Sequence, residues 1–322
     1  MLEIIIMFAA LILGLIVVVK GGDIIVDVCS RIADVTGISD VLIGSTLVSF
    51  ATTLPELTIT ILGMSQNSVG LVLGNCYGTI LVNICLVLGV SLSFMQLRRV
   101  GKATLSKLLT MLGLVVFLTI LAVFKILNVY FGILFVIIFF VYFIKTFVDI
   151  KSDIKNKENV EQKKEKRGSK KDVIILIIRF IVGALLIFAG GQLIVNSTNQ
   201  ITTTLNISAT FIGVTVVAVG TSLPELVTSI TSIKRKRLNL ALGNVLGANI
   251  INLSLLFGLA MIMSLGEITI SGKDMIVLIP MVVLATLVLC LPILFKKRTY
   301  KFQGIALLSI YAIYCIIIIL II

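Results

Sequence analysis

Two stretches of this chain place a carboxylate directly after a proline inside an apolar run. Residues 44–61 read GSTLVSFATTLPELTITI and residues 213–230 read GVTVVAVGTSLPELVTSI, so Glu56 follows Pro55 and Glu225 follows Pro224. A charged side chain at the centre of a bilayer costs roughly 2.5–3.5 kcal/mol on insertion scales. No Lys, Arg or His lies in the neighbouring central turns to pair with either acid, so the pair needs protons or cations. Proline has no N–H and clashes with the carbonyl four residues back, which frees carbonyls near Ala51 and Gly220. Unwound backbone at membrane depth is tolerated where it lines a cavity. Carboxylates and freed carbonyls are hard oxygen ligands of the kind that suit Ca2+ and Na+.

Helical spacing gathers more oxygens around each acid. Ser49, Thr52, Thr53 and Glu56 stand at i, i+3, i+4 and i+7, on one helix face. The partner set is Ala218, Thr221, Ser222 and Glu225. Such hydroxyls can also bond back to their own helix. A second repeated stretch, LGNCYGTILVNICLVLGV at 73–90 and LGNVLGANIINLSLLFGL at 242–259, carries the stripes Asn75, Thr79, Asn83 and Asn244, Ala248, Asn252. For Asn83 and Asn252 two readings stand: contact with a cation or water, or hydrogen bonds between helices. Asn75 and Asn244 are placed to hold the broken segments. Gly74 with Gly78, and Gly243 with Gly247, have the G-x-x-x-G spacing that lets helices approach closely.

All these pairs share one offset, 169 residues (213 against 44), as do Gly21-Gly22 and Gly190-Gly191. That is the mark of a duplication of half the chain. The elements that position the motifs follow from composition. Of 322 residues, 59% are apolar and 13% charged, with a mean hydropathy of +1.20; soluble domains are about 45–50% apolar and about 25% charged. This excludes a soluble or disordered chain. Spanning-length apolar runs fall at 3–20, 41–64, 70–95, 106–124, 126–146, 173–195, 207–233, 240–265, 274–295 and 303–322. The expected fold class is an all-α polytopic membrane protein with ten transmembrane helices.

Charge placement orients these spans. Of 27 Lys+Arg, 24 sit in or beside the odd-numbered loops, which places those loops in the cytoplasm and both termini outside. The same placement accounts for the net charge of +12 without any nucleic-acid partner. Each half then holds five spans, so the copies enter the bilayer from opposite sides. Inverted repeats of this kind build secondary transporters with a midplane site. The expected organisation is a first repeat at 1–150, a cytoplasmic linker loop at 151–171 and a second repeat at 172–322. The linker, KSDIKNKENVEQKKEKRGSKK, reads as a solvated flexible hinge. The N-terminal run lacks a basic n-region and a small-residue cleavage pattern, and reads as a span that is kept. The absence of His removes Ser-His-Asp triads and His-based zinc motifs. The five Cys form no C-x-x-C and read as small buried residues. Neither an enzyme nor a resident cofactor is expected. Two carboxylates offer a charge of −2, which one Ca2+ or two to three Na+ can neutralise. Carrying an empty, doubly negative site through an occluded state would be costly, which points to obligatory exchange.

The paired G-x-T-x-x-[SA]-x-[AG]-T-[TS]-L-P-E-L and G-N-x-x-G-[TA]-x-x-x-N motifs resemble the two α-repeats of the calcium/cation antiporter superfamily, and are most similar to its prokaryotic sodium/calcium exchanger branch. The resemblance covers nearly the whole chain. It implies ten helices in two inverted halves, with a diamond of cation sites between helices 2, 3, 7 and 8. It implies that Glu56 and Glu225 share Ca2+, and that Thr52 and Thr221 add backbone carbonyls. Ser49, Thr52, Thr53, Glu56 and Thr79 would frame one Na+ site, and Ala218, Thr221, Ser222 and Glu225 the opposite one. Asn83 and Asn252 would face the middle, and helices 1 and 6 would slide as a gate. The implied function is exchange of Na+ for Ca2+ in the cell membrane by alternating access, three Na+ for one Ca2+, with no obligate protein partner. The sequence departs from the family at three positions: Asn252 where some relatives carry Asp, Ala248 where relatives have Ser, and Ser49 for a common Ala. Coupling to K+ or H+ is the alternative; Gly78 and Gly247, where the proton-coupled branch has an acid, argue against H+. From other classes, a cation channel or a membrane scaffold is less well supported.

Overall fold

The computed structural model describes residues 2–36, 49–95, 99–158, 170–234, 238–266, 268 and 273–321. Every described element is a helix. The chain begins with α1 (Leu2–Thr36), then α2 (Ser49–Thr52) and α3 (Leu54–Ser65). Next comes α4 (Val69–Val82), which runs through a π-helical segment (Asn83–Leu88) into α5 (Gly89–Phe94). Helices α6 (Lys102–Val123), α7 (Val129–Glu158) and α8 (Lys170–Leu205) follow. Then α9 (Ala209–Ile212) passes through a π segment (Gly213–Val217) into α10 (Ala218–Thr221), followed by α11 (Leu223–Lys234). Last are α12 (Leu238–Ile251), a π segment (Asn252–Leu256), α13 (Phe257–Met263), α14 (Lys273–Lys296) and α15 (Lys301–Ile321).

Among the described residues, nine stretches are long and apolar enough to cross a membrane, and the shorter apolar Leu54–Ser65 lies within the tenth expected span. The first residues of that span, 41–48, including Gly44 and Thr46 of the repeated motif, lie outside the described residues, as do 159–169 of the expected linker. The part of the linker that is described departs from the hinge reading: Lys151–Glu158 continues α7 as helix, and Lys170 already begins α8. Helices α1 and α8 also overrun their expected spans, which end at 20 and 195. Several turns close tightly on left-handed residues, Asn67, Lys125, Asn206 and Lys297, at φ 57°, 56°, 54° and 51°.

Burial sorts the helices. Val69–Phe94 and Ala241–Met263 are almost wholly enclosed, whereas Glu3–Ile25 and Ile174–Leu205 expose most of their apolar surface. The large core cluster joins α4, α6, α12 and α14 through Leu81, Leu114, Leu246 and Leu278. The exposed Ile5, Ile12, Ile16, Ile174, Ile178 and Leu185 form an apolar exterior that only lipid can satisfy. Outside the core, α1 and α8 pack along each other. Glycine makes this possible: a Cβ on Gly190 would lie 2.7 Å from the Gly14 carbonyl oxygen, and one on Gly183 3.0 Å from that of Gly21. The pair lies across both proline breaks, since a Cβ on Gly22 would sit 3.7 Å from Pro224 and 3.8 Å from Pro55.

Candidate cation site

The backbone around each acid is broken at one residue rather than unwound over a stretch. Thr53, at φ −86° and ψ −5°, separates α2 from α3. Ser222, at φ −82° and ψ 2°, separates α10 from α11. Both follow from the sequence. Pro55 and Pro224 cannot continue the preceding ladder, but proline suits the first turn of a new helix. Each Glu therefore lies in the first turn of its half-helix, where the positive end of the helix dipole favours a negative charge. The terminal carbonyls of α2 and α10 stand just before them.

The two breaks meet. Glu56 and Glu225 are buried, 0% and 1% exposed, and close enough to interact electrostatically. The Thr221 hydroxyl adjoins the Glu56 carboxyl, and the Thr52 hydroxyl adjoins that of Glu225. Neither pair has hydrogen-bond geometry, for all four carboxyl oxygens lack a partner. The threonines instead turn back on their own helices, Thr52 donating to the Ser49 carbonyl at 3.2 Å and Thr221 to that of Ala218 at 3.4 Å. Two unpartnered acids side by side in a buried space are costly unless cations or protons neutralise them.

The remaining expected residues fall into three groups. Thr79, Asn83, Ser222 and Asn252 are buried and keep polar side-chain atoms without hydrogen-bond partners. The π segments that start at Asn83 and Asn252 pack against the acid-bearing helices, that of Asn83 on α11 and that of Asn252 on α3. Thr53 and Ser49 have their hydroxyls engaged: Thr53 donates to the Ser49 carbonyl at 2.6 Å, and Ser49 donates to the Asn244 carbonyl at 3.0 Å and to its Oδ1 at 3.1 Å. Ala218 has no polar side chain and packs on α4, where a Cβ on Gly78 would meet it at 2.8 Å. Asn244 thus holds a broken segment as its place in the sequence suggested, but Asn75, opposite Ala218 in the repeat, has neither amide atom bonded. Sequence reasoning missed Asn249, which accepts a hydrogen bond from Asn83; the repeat places Ile80 at its position, so a search for duplicated residues passes over it. Among the described residues no three His, Cys, Asp or Glu side chains gather as a metal cluster. The site is two carboxylates among neutral oxygens.

These features define an all-helical membrane protein in which two buried carboxylates face one another among neutral oxygens. The profile of the family described as "Sodium/calcium exchanger protein" matches residues 6–148 and 175–320; the chain belongs to this family. It is 30% identical to the sodium/calcium exchanger MaX1 of Methanosarcina acetivorans, over 96% of this chain and 97% of that one. It is 29% identical to an uncharacterized membrane protein of Methanocaldococcus jannaschii, over 94% of each. Its fold is similar to that of the sodium-calcium exchanger NCX_Mj in a structure obtained from Na+-soaked crystals, with a TM-score of 0.65, 28% identity, and coverage of 96% of this chain and 98% of that one.

Proposed function

We propose that this protein exchanges Na+ for Ca2+ across the cell membrane by alternating access, with Glu56 and Glu225 as shared ligands of Ca2+. The observation that carries the reading is the meeting of two buried carboxylates whose four oxygens have no partner. One Ca2+ neutralises both acids, and so do Na+ ions bound in its place. The doubly negative empty site would be expensive to carry across a closed barrier, so the protein reorients loaded and the two fluxes are coupled. Thr52 and Thr221 sit at the carbonyl ends of α2 and α10 and supply backbone oxygens. Thr53 and Ser49 on one side, and Ser222 and Ala218 on the other, complete the flanking positions, together with Thr79, Asn83 and Asn252. The lipid-facing pair α1 and α8, closely packed across both breaks, is the natural moving element. The odd-numbered loops lie in the cytoplasm and the termini outside. The transported ions are substrates, and the reading needs neither a resident cofactor nor an obligate protein partner.

The test is reconstitution of the purified chain in liposomes with the membrane potential clamped. 45Ca2+ uptake should follow an outward Na+ gradient and should not follow K+ or H+ gradients of equal size. Uptake without any counter-cation would refute coupled exchange and favour a channel.

A further inference from the structure

We propose that Asn249 and Met111 are positioning residues that hold Asn83 with its side-chain carbonyl presented to the cation site; this rests on the cation-site reading above. The Asn83 amide nitrogen donates to Asn249 Oδ1 at 3.0 Å, and the Asn249 amide nitrogen donates to Met111 Sδ at 3.7 Å. All three side chains are fully buried. A thioether accepts hydrogen bonds and has no proton to give. The sulfur therefore fixes the sense of the whole relay. Asn249 must turn its NH2 toward Met111 and its oxygen toward Asn83, and Asn83 must turn its NH2 toward Asn249. What is left over is the Asn83 Oδ1, buried and without a partner, on the segment that packs against the helix bearing Glu225. An amide oxygen held in this way is a hard, neutral ligand that needs no reorganisation when the cation arrives.

Among the described residues the second half shows no such device. At the repeat offset, Ile80 stands for Asn249 and Pro280 for Met111, and Asn252 has neither amide atom bonded. The two middle asparagines look alike in sequence but are not equivalent: the Asn83 amide nitrogen is bonded, and neither amide atom of Asn252 is.

The test compares wild type, Asn249→Leu, Met111→Leu, Asn83→Ala and the double variant Asn83→Ala/Asn249→Leu. Na+-driven 45Ca2+ uptake gives KM and maximal rate, and Ca2+-dependent thermal unfolding in detergent gives Kd without transport. Asn249→Leu should raise KM and Kd about three- to tenfold, the range of one net hydrogen bond, with the maximal rate within about twofold. Met111→Leu, which preserves volume, should shift both in the same direction by less. In the Asn83→Ala background, Asn249→Leu should add nothing, whereas a merely structural role would add its full effect. Unchanged KM and Kd in Asn249→Leu, or additivity in the double variant, overturns the proposal. If Asn249→Leu does not fold, Met111→Leu decides, and an unchanged Kd there overturns it. Wild type that binds Ca2+ but shows no Na+-driven uptake would remove the exchange reading alone, and the Kd series would still decide the relay.

Discussion

Glu56→Gln keeps the shape of the side chain and deletes one negative charge from a site in which Glu56 is 0% exposed and has no hydrogen-bond partner. Ca2+ in the wild-type site faces −2 and is neutralised; in the variant it faces −1, and a net positive charge stays buried. Removing one partner from a buried charged set costs about 3–5 kcal/mol. At about 1.4 kcal/mol per tenfold, the loss in Ca2+ affinity is roughly a hundredfold to several thousandfold. Thermal unfolding of the purified protein reads this directly. At a Ca2+ concentration of 100 Kd the wild type gains about 2.7 kcal/mol of stability by mass action, whereas the variant at the same concentration gains at most about 0.4 kcal/mol. Without cations the variant should unfold no lower than wild type, because the acid makes no bond that Gln would break and the repulsion from Glu225 is gone. 45Ca2+ uptake should be abolished in parallel. A Glu56→Gln variant that keeps its Ca2+ affinity within tenfold would refute the claim that this carboxylate holds the ion. One that loses stability without cations would make the acid a structural element.

Three further outcomes follow from particular contacts. Gly190→Val drives a branched side chain into the Gly14 carbonyl, where even a Cβ would come within 2.7 Å; overpacking of this kind costs about 1–3 kcal/mol, read as a lowered Tm together with slowed exchange. Asn244→Ala removes one of the two acceptors of the buried Ser49 hydroxyl, the side-chain oxygen, and leaves the backbone carbonyl, while Asn75→Ala removes an amide with no partner, so in cation-free buffer the first should lower Tm slightly and the second should leave it unchanged or raise it. Asn199→Ala cuts two bonds, from Ser68 at 2.6 Å and to Gln66 at 3.3 Å, that tie the turn between α3 and α4 to α8. Amide hydrogen exchange at 66–68 should then speed up while the Ca2+ KM stays the same.

Much of this molecule was legible because membrane chemistry leaves few solutions. An apolar run that must satisfy its backbone in lipid has to be a helix, and every expected span is helical over its described residues apart from its ends and the breaks at Thr53 and Ser222. The acid after proline was legible for a similar reason: the cost of a buried charge makes its presence in two copies hard to explain without a shared counter-charge. The helix ends were less so. Lys20 and Arg31 mark the end of an apolar run, but α1 continues to Thr36, because polarity ends a span without ending a helix. Nor could the sequence say that each proline break is confined to Thr53 or Ser222. The number of residues released depends on whether the next half-helix can restart at once, and proline in its first turn permits that.

The least legible feature is how far the two halves diverge around a common pair of acids. The repeat offset finds what both copies keep. It passes over Asn249, whose partner position holds Ile80, and over the bond from Ser49 to Asn244, whose mirror would need a hydroxyl at Ala218. The physical cost explains which features diverge. Loss of either carboxylate leaves the site unable to neutralise a divalent ion, a penalty of several kcal/mol. Loss or gain of a neutral oxygen changes it by about one hydrogen bond, and a different neighbour can absorb that. The charges are therefore twofold, while the neutral ligands need not be. Ser49 is tied and Ala218 has no polar group to tie; Asn83 is held through its amide nitrogen and Asn252 makes no side-chain hydrogen bond. The neutral oxygens beside Glu56 therefore differ from those beside Glu225.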